Sequence, residues 1–358
     1  MSNLPESIVA VTGGSGFIGT ALVRRLLADG QRVSNLDLWA EPDSSLVRAI
    51  RGDVRNATAV RLAVQGCSTV YHLAAAHHDH GIDRDTFFGV NEGGTRTLVE
   101  ACAAEGVRRI VFFSSVAVYG TAVEPRDDMA ATAPESPYGE SKLAGERVLT
   151  EWASGDSTRE LLVVRPAVVF GRMNFANVFA LIRQIDSGRF ARVGEGTNVK
   201  SMVYVENALD AVHHLLAQLQ DQRIIVANLV DKPDLSSREI METIERALAR
   251  RPRRVAIPLG VALALAYPFE LASTIIRRPL PVSRARVRKF AEMSTQFPAT
   301  TTARYGFAPS TPLRSALADM VAWYLREGKS ARPIRRLPPP VVLQTVTDMN
   351  RAIAGQSG

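Results

Sequence analysis

VTGGSGFIG, residues 11–19, is the stretch on which the reading of the fold turns. It completes the apolar run SIVAVTG (7–13), short and ending in Gly, which reads as a strand buried on both faces. A helix is expected from about Phe17 to Ala28. The glycines satisfy two spacings, Gly13–Gly16–Gly19 and Gly14–Gly16–Gly19. Small residues there let the backbone turn sharply and approach a pyrophosphate closely. The helix start then offers unpaired N–H groups and a partial positive charge. A glycine spacing alone carries little; placed between a strand and a helix, it predicts a phosphate-binding turn.

An acid should follow roughly twenty residues on, at the end of the second strand. Asp37, which closes RVSNLD (32–37), fills that place. Its carboxylate would accept hydrogen bonds from ribose hydroxyls and repel a 2′-phosphate, which favours NAD over NADP. GDV (52–54) ends a third strand within VRAIRGD (47–53). It puts Asp53 where an adenine amino group would be met, with Val54 beneath the ring. TVYHLAA (69–75), RIVFFSS (109–115) and ELLVVRP (160–166) read as further strands, with a long helix at roughly 84–105. This alternation predicts right-handed crossovers and a doubly wound parallel Rossmann sheet over residues 1–170. After Phe170 the rhythm loosens. Helices are expected near 175–187, 206–220, 236–250 and 313–327, with short strands near 200–205 and 224–229. The expected architecture is therefore α/β. The last sheet strands come from about 200–230, and a smaller, interleaved C-terminal substrate-binding lobe occupies 171–328. KSARPIRRLPPP (329–340) is basic and Pro-rich, hence extended. The rest of the 329–358 tail has the spacing of a short helix.

Composition narrows the class. The hydrophobic share is 46% and the charged share 22%, ordinary for a globular chain with a sizeable core. Cys67 and Cys102 have no motif spacing, which argues against a disulfide scaffold or a zinc site and suits a reducing cytoplasm. Forty-three basic against 36 acidic residues give a net charge of +7, but the basic residues are scattered except near the C-terminus. No nucleic-acid motif accompanies them, so no nucleic-acid partner is expected. The start of the chain reads as a strand rather than a signal peptide.

SPYGESK (136–142) places Tyr138 and Lys142 one helical turn apart on the same side. Together with TGGSGFIG, GDV, YHLAA, VNEGGTRTLVEAC, FFSSVAVYG and VVRPAVVFG, in this order and spacing, it makes the chain resemble the extended short-chain dehydrogenases/reductases. The likeness is to their NAD-dependent nucleotide-sugar epimerase/dehydratase branch. It runs from about residue 7 to 327 and is most specific before Gly171. It implies that Tyr138 and Lys142 are the YxxxK pair and Ser115 the catalytic hydroxyl. It also implies that Asn91 stands behind the active site and that Ala74 and Ala75 let the cofactor pass. By the same resemblance Phe17, Ile18, Leu73, Ser114 and Pro166 complete the NAD site. Dehydratases usually carry an Asp-Glu pair after the catalytic Thr. Here Val116 and Ala117 follow Ser115, which argues against dehydration.

The chemistry expected of the pair can be sized. A free tyrosine titrates near 10, and a base poised near neutrality needs that lowered by ~3 units, or ~4 kcal/mol. One cation ~4 Å away at an effective dielectric of 20 supplies about that much. Tyr138 would take a hydroxyl proton, with Ser115 orienting the oxygen. Epimerisation at C4 of a UDP-hexose or UDP-N-acetylhexosamine, for glycan precursors, is the first expectation. A dehydrogenase of a nucleotide sugar or of a 3β-hydroxysteroid-like alcohol is the alternative. On the substrate side, Asn177 opens a helix, either as its cap or to hold a diphosphate. Lys200 and Arg172 are expected as further contacts. No metal is expected, although AAAHHDHG (74–81) clusters His77, His78 and His80 around Asp79. VAIPLGVALALAYPFELASTII (255–276), followed by RRPLPVSRARVRK (277–289), is expected as a wall of the lobe, with a peripheral membrane contact as the lesser reading. The resemblance also implies a homodimer through helices near 87–105 and 138–153, where Ala101, Ala104, Leu143 and Val148 fit a packed face.

Overall fold

The computed structural model describes residues 8–41, 44–77, 82–121, 124–188, 190–251, 256–276, 284 and 293–331, with backbone alone over 269–276. Its centre is a seven-stranded sheet. The strands are β1 (Ile8–Thr12), β2 (Arg32–Asp37), β3 (Val47–Arg51), β4 (Thr69–His72), β5 (Arg109–Phe113), β6 (Glu160–Pro166) and β7 (Ile224–Leu229). They lie in the order β7-β6-β5-β4-β1-β2-β3. Every neighbouring pair is parallel.

Strand alternation explains why the runs are apolar throughout. Val9 and Val11 of β1, Val111 and Phe113 of β5, and Leu162 and Val164 of β6 enter one core. Ala10, Ile110, Phe112, Leu161 and Val163 enter the core on the opposite face. The first face is covered by α1 (Phe17–Ala28) and, further along the chain, α7 (Val205–Gln218). The second is covered by α2 (Ala57–Val64), α4 (Gly94–Ala104) and α5 (Pro137–Ser154). Each fully buried aliphatic side chain contributes roughly 1.5–3 kcal/mol, so a strand contributing four of them anchors itself.

Three details differ from the sequence expectation. α2 lies in a stretch left unassigned; Asn56 caps it by accepting from Ala59 N, a local signal that a sheet-centred reading passes over. The long helix expected at 84–105 is α3 (Arg84–Phe88), a π turn at Gly89–Gly93 and α4 in succession. Of the strands expected at 200–230, only β7 joins the sheet. Met202–Tyr204 pairs instead with Val168–Phe170 in a separate parallel pair.

The lobe has its own core. It is built from α6 (Asn177–Asp186), α8 (Ser237–Ala247) and α11 (Leu313–Trp323), with Phe179, Ile182, Ile240, Ile244, Met320 and Trp323 buried together. A reciprocal capping box between Ser236 and Glu239 starts α8. α9 (Leu259–Ile276) and the short α10 (Thr300–Arg304) complete the helices used below. The tail expected at 329–358 falls outside the described residues beyond Ala331.

Candidate active site

The strand order reverses between β1 and β4, and the crevice beyond their C-terminal ends is where ligands bind in open parallel sheets. The glycine turn follows β1 and Leu73–Ala75 follow β4, so both expected segments meet there. Gly13 has φ +75, and a Cβ on it would lie 2.6 Å from Ala74 N. Only glycine permits that approach. Gly16 is the N-cap of α1, with no side-chain cap and no acid in the first turn. The first bond into the helix runs from Thr20 N to Gly16 O, so the N–H groups of Phe17, Ile18 and Gly19 precede it and are available to an anion. Asp37, at the end of β2, accepts from Ser15 N at 3.1 Å and Trp39 N at 2.9 Å. Burial raises its pKa, opposed by those two bonds. The acid is thus held against the glycine turn by the turn's own backbone. An open helix start, a turn of three glycines and one serine, and a half-buried acid fit a dinucleotide.

Asp53 and Val54 are more committed to the protein. Asp53 is buried and takes Arg55 N, Nε and Nη2, the last at 2.6 Å. Val54 is buried in the core on the α2 and α4 side. Pro166 closes β6 and faces Leu229 of β7 in register.

Ser115, Tyr138 and Lys142 come from two elements. Ser115 follows β5 and caps a short 3-10 turn at Val116–Tyr119, its Oγ accepting from Ala117 N at 3.1 Å. Tyr138 is in the first turn of α5, capped by Ser136, with Pro137 at the helix start. The two elements touch at Gly139, where a Cβ would lie 2.5 Å from Ala117 O. Backbone contact thus packs the Ser115 turn on the start of α5. The Tyr138 ring lies 6.1 Å from that of Phe87. Ser115 and Tyr138 are half-buried. Lys142 is 1% exposed, with its Nζ 4.1 Å from the centre of the Phe112 ring. Burial pushes its ammonium down to about 7, and the Glu146 carboxylate opposes that shift.

Behind these residues lies a polar framework that sequence reasoning missed. Glu146 and Arg165 form a buried bidentate pair, at 3.0 and 2.6 Å. Glu146 also accepts from Ser114 Oγ at 2.5 Å. Arg165 donates to Tyr119 Oη at 2.8 Å, and Tyr119 donates to Asn228 of β7 at 2.9 Å. The spacing 138, 142, 146 already put Glu146 on the face of the YxxxK pair; its partners, distant in sequence, gave no signal. Asn91 sits in the π turn. It accepts from Ala76 N (2.8 Å) and donates to Ala76 O (3.0 Å) and to Ser141 Oγ (2.9 Å). His72 is fully buried between Thr12 Oγ1 at 2.7 Å and Thr95 Oγ1 at 3.0 Å. Thr95 gives its proton to Asn91 O, so His72 donates through Nε2 and accepts through Nδ1. Burial and the Lys142 charge push its pKa down to about 3.

The expected substrate residues stand on three separate segments. Arg172 donates to both carboxylate oxygens of Asp319 on α11, which Tyr204 Oη also contacts at 2.9 Å. Asn177 is exposed in the first turn of α6, whose N-cap is Ala176, not Asn177. Lys200 Nζ donates to Met293 O at 2.5 Å. A cavity of about 890 Å³ lies beside this strand segment, with Arg192, Thr197, Asn198, Arg238, Pro258 and Leu259 in its walls. His77 is exposed, and residues 78–81 lie outside the described residues.

A Rossmann crevice with a glycine turn, a strand-end acid, a Ser on the turn after β5 and a Tyr/Lys pair on α5 is the arrangement of the short-chain oxidoreductase class. The chain belongs to the NAD dependent epimerase/dehydratase family, whose model matches residues 9–227. It is similar to the N-acetyl-alpha-D-glucosaminyl-diphospho-ditrans,octacis-undecaprenol 4-epimerase of Escherichia coli O157:H7. The two are 38% identical over 305 residues, covering 85% of this chain and 91% of that protein. Similarity to the UDP-glucose 4-epimerase of Vibrio cholerae is 29% over 268 residues, 72% of this chain and 80% of that one. Among solved structures, MoeE5 in complex with UDP-glucuronic acid and NAD superposes with a TM-score of 0.72 at 27% identity, covering 89% of this chain and 99% of that one.

Proposed function

We propose that the protein is an NAD-dependent 4-epimerase of a hexose or N-acetylhexosamine carried on a diphosphate. One observation carries the reading. The Ser115 turn packs by backbone on the first turn of α5, which carries Tyr138 one turn before the buried Lys142, and Val116 and Ala117 occupy the place of a dehydratase's acidic pair. Phe17, Ile18, Gly19 and Asp37 would hold NAD, which when bound accepts and returns a hydride at the carbinol carbon. Tyr138 removes the C4 hydroxyl proton and later restores it. Lys142, when protonated, stabilises the tyrosinate. Ser115 donates a hydrogen bond to the reacting oxygen and so fixes which hydroxyl meets Tyr138. Epimerisation requires the keto sugar to present its other face before reduction, so the cofactor undergoes no net change.

A nucleotide carrier is supported by the UDP-sugar relatives. A polyprenyl diphosphate carrier is the second reading, favoured by the greater identity and coverage of the E. coli protein. The cavity walled by Arg192 and Arg238 suits the diphosphate of either. Cytoplasmic placement and a homodimer belong to this proposal as well. Ala101 and Val148 are buried in the chain's own interior, which leaves Ala104 and Leu143 to support a helix-mediated dimer.

The test is incubation with UDP-glucose, UDP-N-acetylglucosamine and undecaprenyl diphosphate N-acetylglucosamine, with products followed by NMR. The C4 epimer should form without NADH accumulating. Stoichiometric NADH would point to a dehydrogenase instead. Tyr138→Phe should lower kcat by roughly 10²–10⁴-fold while NAD still binds; retained turnover would remove Tyr138 from the mechanism.

A further inference from the structure

The described side chains of α9, up to Pro268, invert the usual pattern of a surface helix, which turns its large apolar residues inward. The small Ala262 and Ala266, one turn apart, are buried against the protein. Val261, Leu265 and Tyr267 face outward, 49%, 60% and 53% exposed. No charged residue occurs over 259–268. Three large apolar side chains thus stand exposed within seven residues, where isolated ones would need no explanation. A cation accompanies them: the exposed guanidinium of Arg284 lies 5.1 Å from the centre of the Tyr267 ring. In the sequence after α9, Arg277, Arg278, Arg284, Arg286, Arg288 and Lys289 come with no acid among them. The helix also begins at the 890 Å³ cavity, since Pro258 and Leu259 stand in its wall. No helix among the described residues is long and apolar enough to cross a membrane.

We propose that α9 lies on an anionic phospholipid surface, with Val261, Leu265 and Tyr267 in the boundary between headgroups and acyl chains. An aromatic ring with a guanidinium at its side suits that boundary, where one end is apolar and the other meets phosphate. The Arg284 cation beside Tyr267 adds attraction to anionic lipid. A second copy of this chain fits the surface less well, because a two-fold contact through Tyr267 would bring two Arg284 guanidinium groups together. Docking through α9 places the cavity mouth at the bilayer, within reach of a diphosphate presented there. The placement stands whichever carrier the sugar has.

The experiment uses the full chain with NAD and no sugar substrate, so its result is independent of the epimerase reading. Vesicles of phosphatidylethanolamine and phosphatidylglycerol are sedimented with the protein. The wild type should sediment with them, and Leu265→Ser/Tyr267→Ser should reduce partitioning by on the order of tenfold or more. Both positions are exposed, so the melting temperature should hold. In a second variant, Leu265→Trp, emission should shift to the blue on adding these vesicles, and less so with neutral phosphatidylcholine. A wild type that stays in the supernatant overturns the proposal, as does a double variant that binds as well as the wild type. Equal binding to neutral vesicles overturns its electrostatic half. A change of oligomeric state on Leu265→Ser/Tyr267→Ser, without vesicle binding by the wild type, would assign the face to a second copy.

Discussion

At the residue scale the decisive quantity is the charge on Lys142. A buried ammonium against Phe112, held near neutrality by burial and propped up by Glu146, is poised between two states. Only the cation helps Tyr138 carry negative charge, so activity should fall as pH rises through the lysine's pKa. Glu146→Gln removes the anion that raises this value. The value then drops below about 7, and the alkaline limb of the kcat profile moves to lower pH. An unmoved limb would show that Glu146 serves only its pair with Arg165. The substitution also leaves the Arg165 charge buried with a neutral partner, at a cost of roughly 3–5 kcal/mol if the site does not relax. His72 is expected to stay neutral throughout the working range, because its pKa lies near 3.

At the element scale, the contact between the Ser115 turn and α5 is made by backbone. Gly→Ala within a helix ordinarily stabilises by ~1 kcal/mol. At Gly139 the sign should reverse, because the new methyl would meet Ala117 O at 2.5 Å. Gly139→Ala should lower kcat by about 10²-fold through displacement of Ser115, while NAD binding followed by fluorescence survives. Unchanged turnover would show that the turn tolerates the shift. This scale also shows what the sequence makes legible. β1, α1 and β2 carry their own signals: an apolar run, glycines at a helix start, an acid at a strand end. Each was readable because its cause is local. The π turn around Asn91 was not readable, since Asn91 serves Ala76 in the segment after β4 and Ser141 on α5. Nor was the pairing of Glu146 with Arg165, whose cause is contact between a helix and a strand. The bond between Arg172 and Asp319 was equally out of view, because the two lie 147 positions apart.

At the scale of the whole molecule, the lobe is tied together by that same carboxylate. Asp319 receives Arg172 from one segment and Tyr204 from another. Arg172 is more than half exposed, so the pair is screened and contributes on the order of 1 kcal/mol at most. Asp319→Asn should lower the melting temperature by only ~2–4 °C. It should raise KM if the loosened Arg172 belongs to the substrate site, and leave KM alone if its role is to fasten α11. The fold class and the crevice were visible from the first hundred and seventy residues, and the lobe's helices from their spacing; the pairings of its short strands were not, because they join segments far apart in sequence.

The position of β7 has a consequence for how the chain is made. β7 pairs with β6 at Leu161–Pro166, yet its residues 224–229 follow β6 in sequence only after a large part of the lobe. During translation, β6 therefore emerges with one edge bare, and about sixty residues must be added before its partner exists. At ordinary elongation rates that interval is roughly 3–12 s. Throughout it the Leu161–Val164 run, wholly buried in the finished protein, presents open backbone groups to any passing strand. Yield in the cell should therefore depend on what shields that edge on the ribosome.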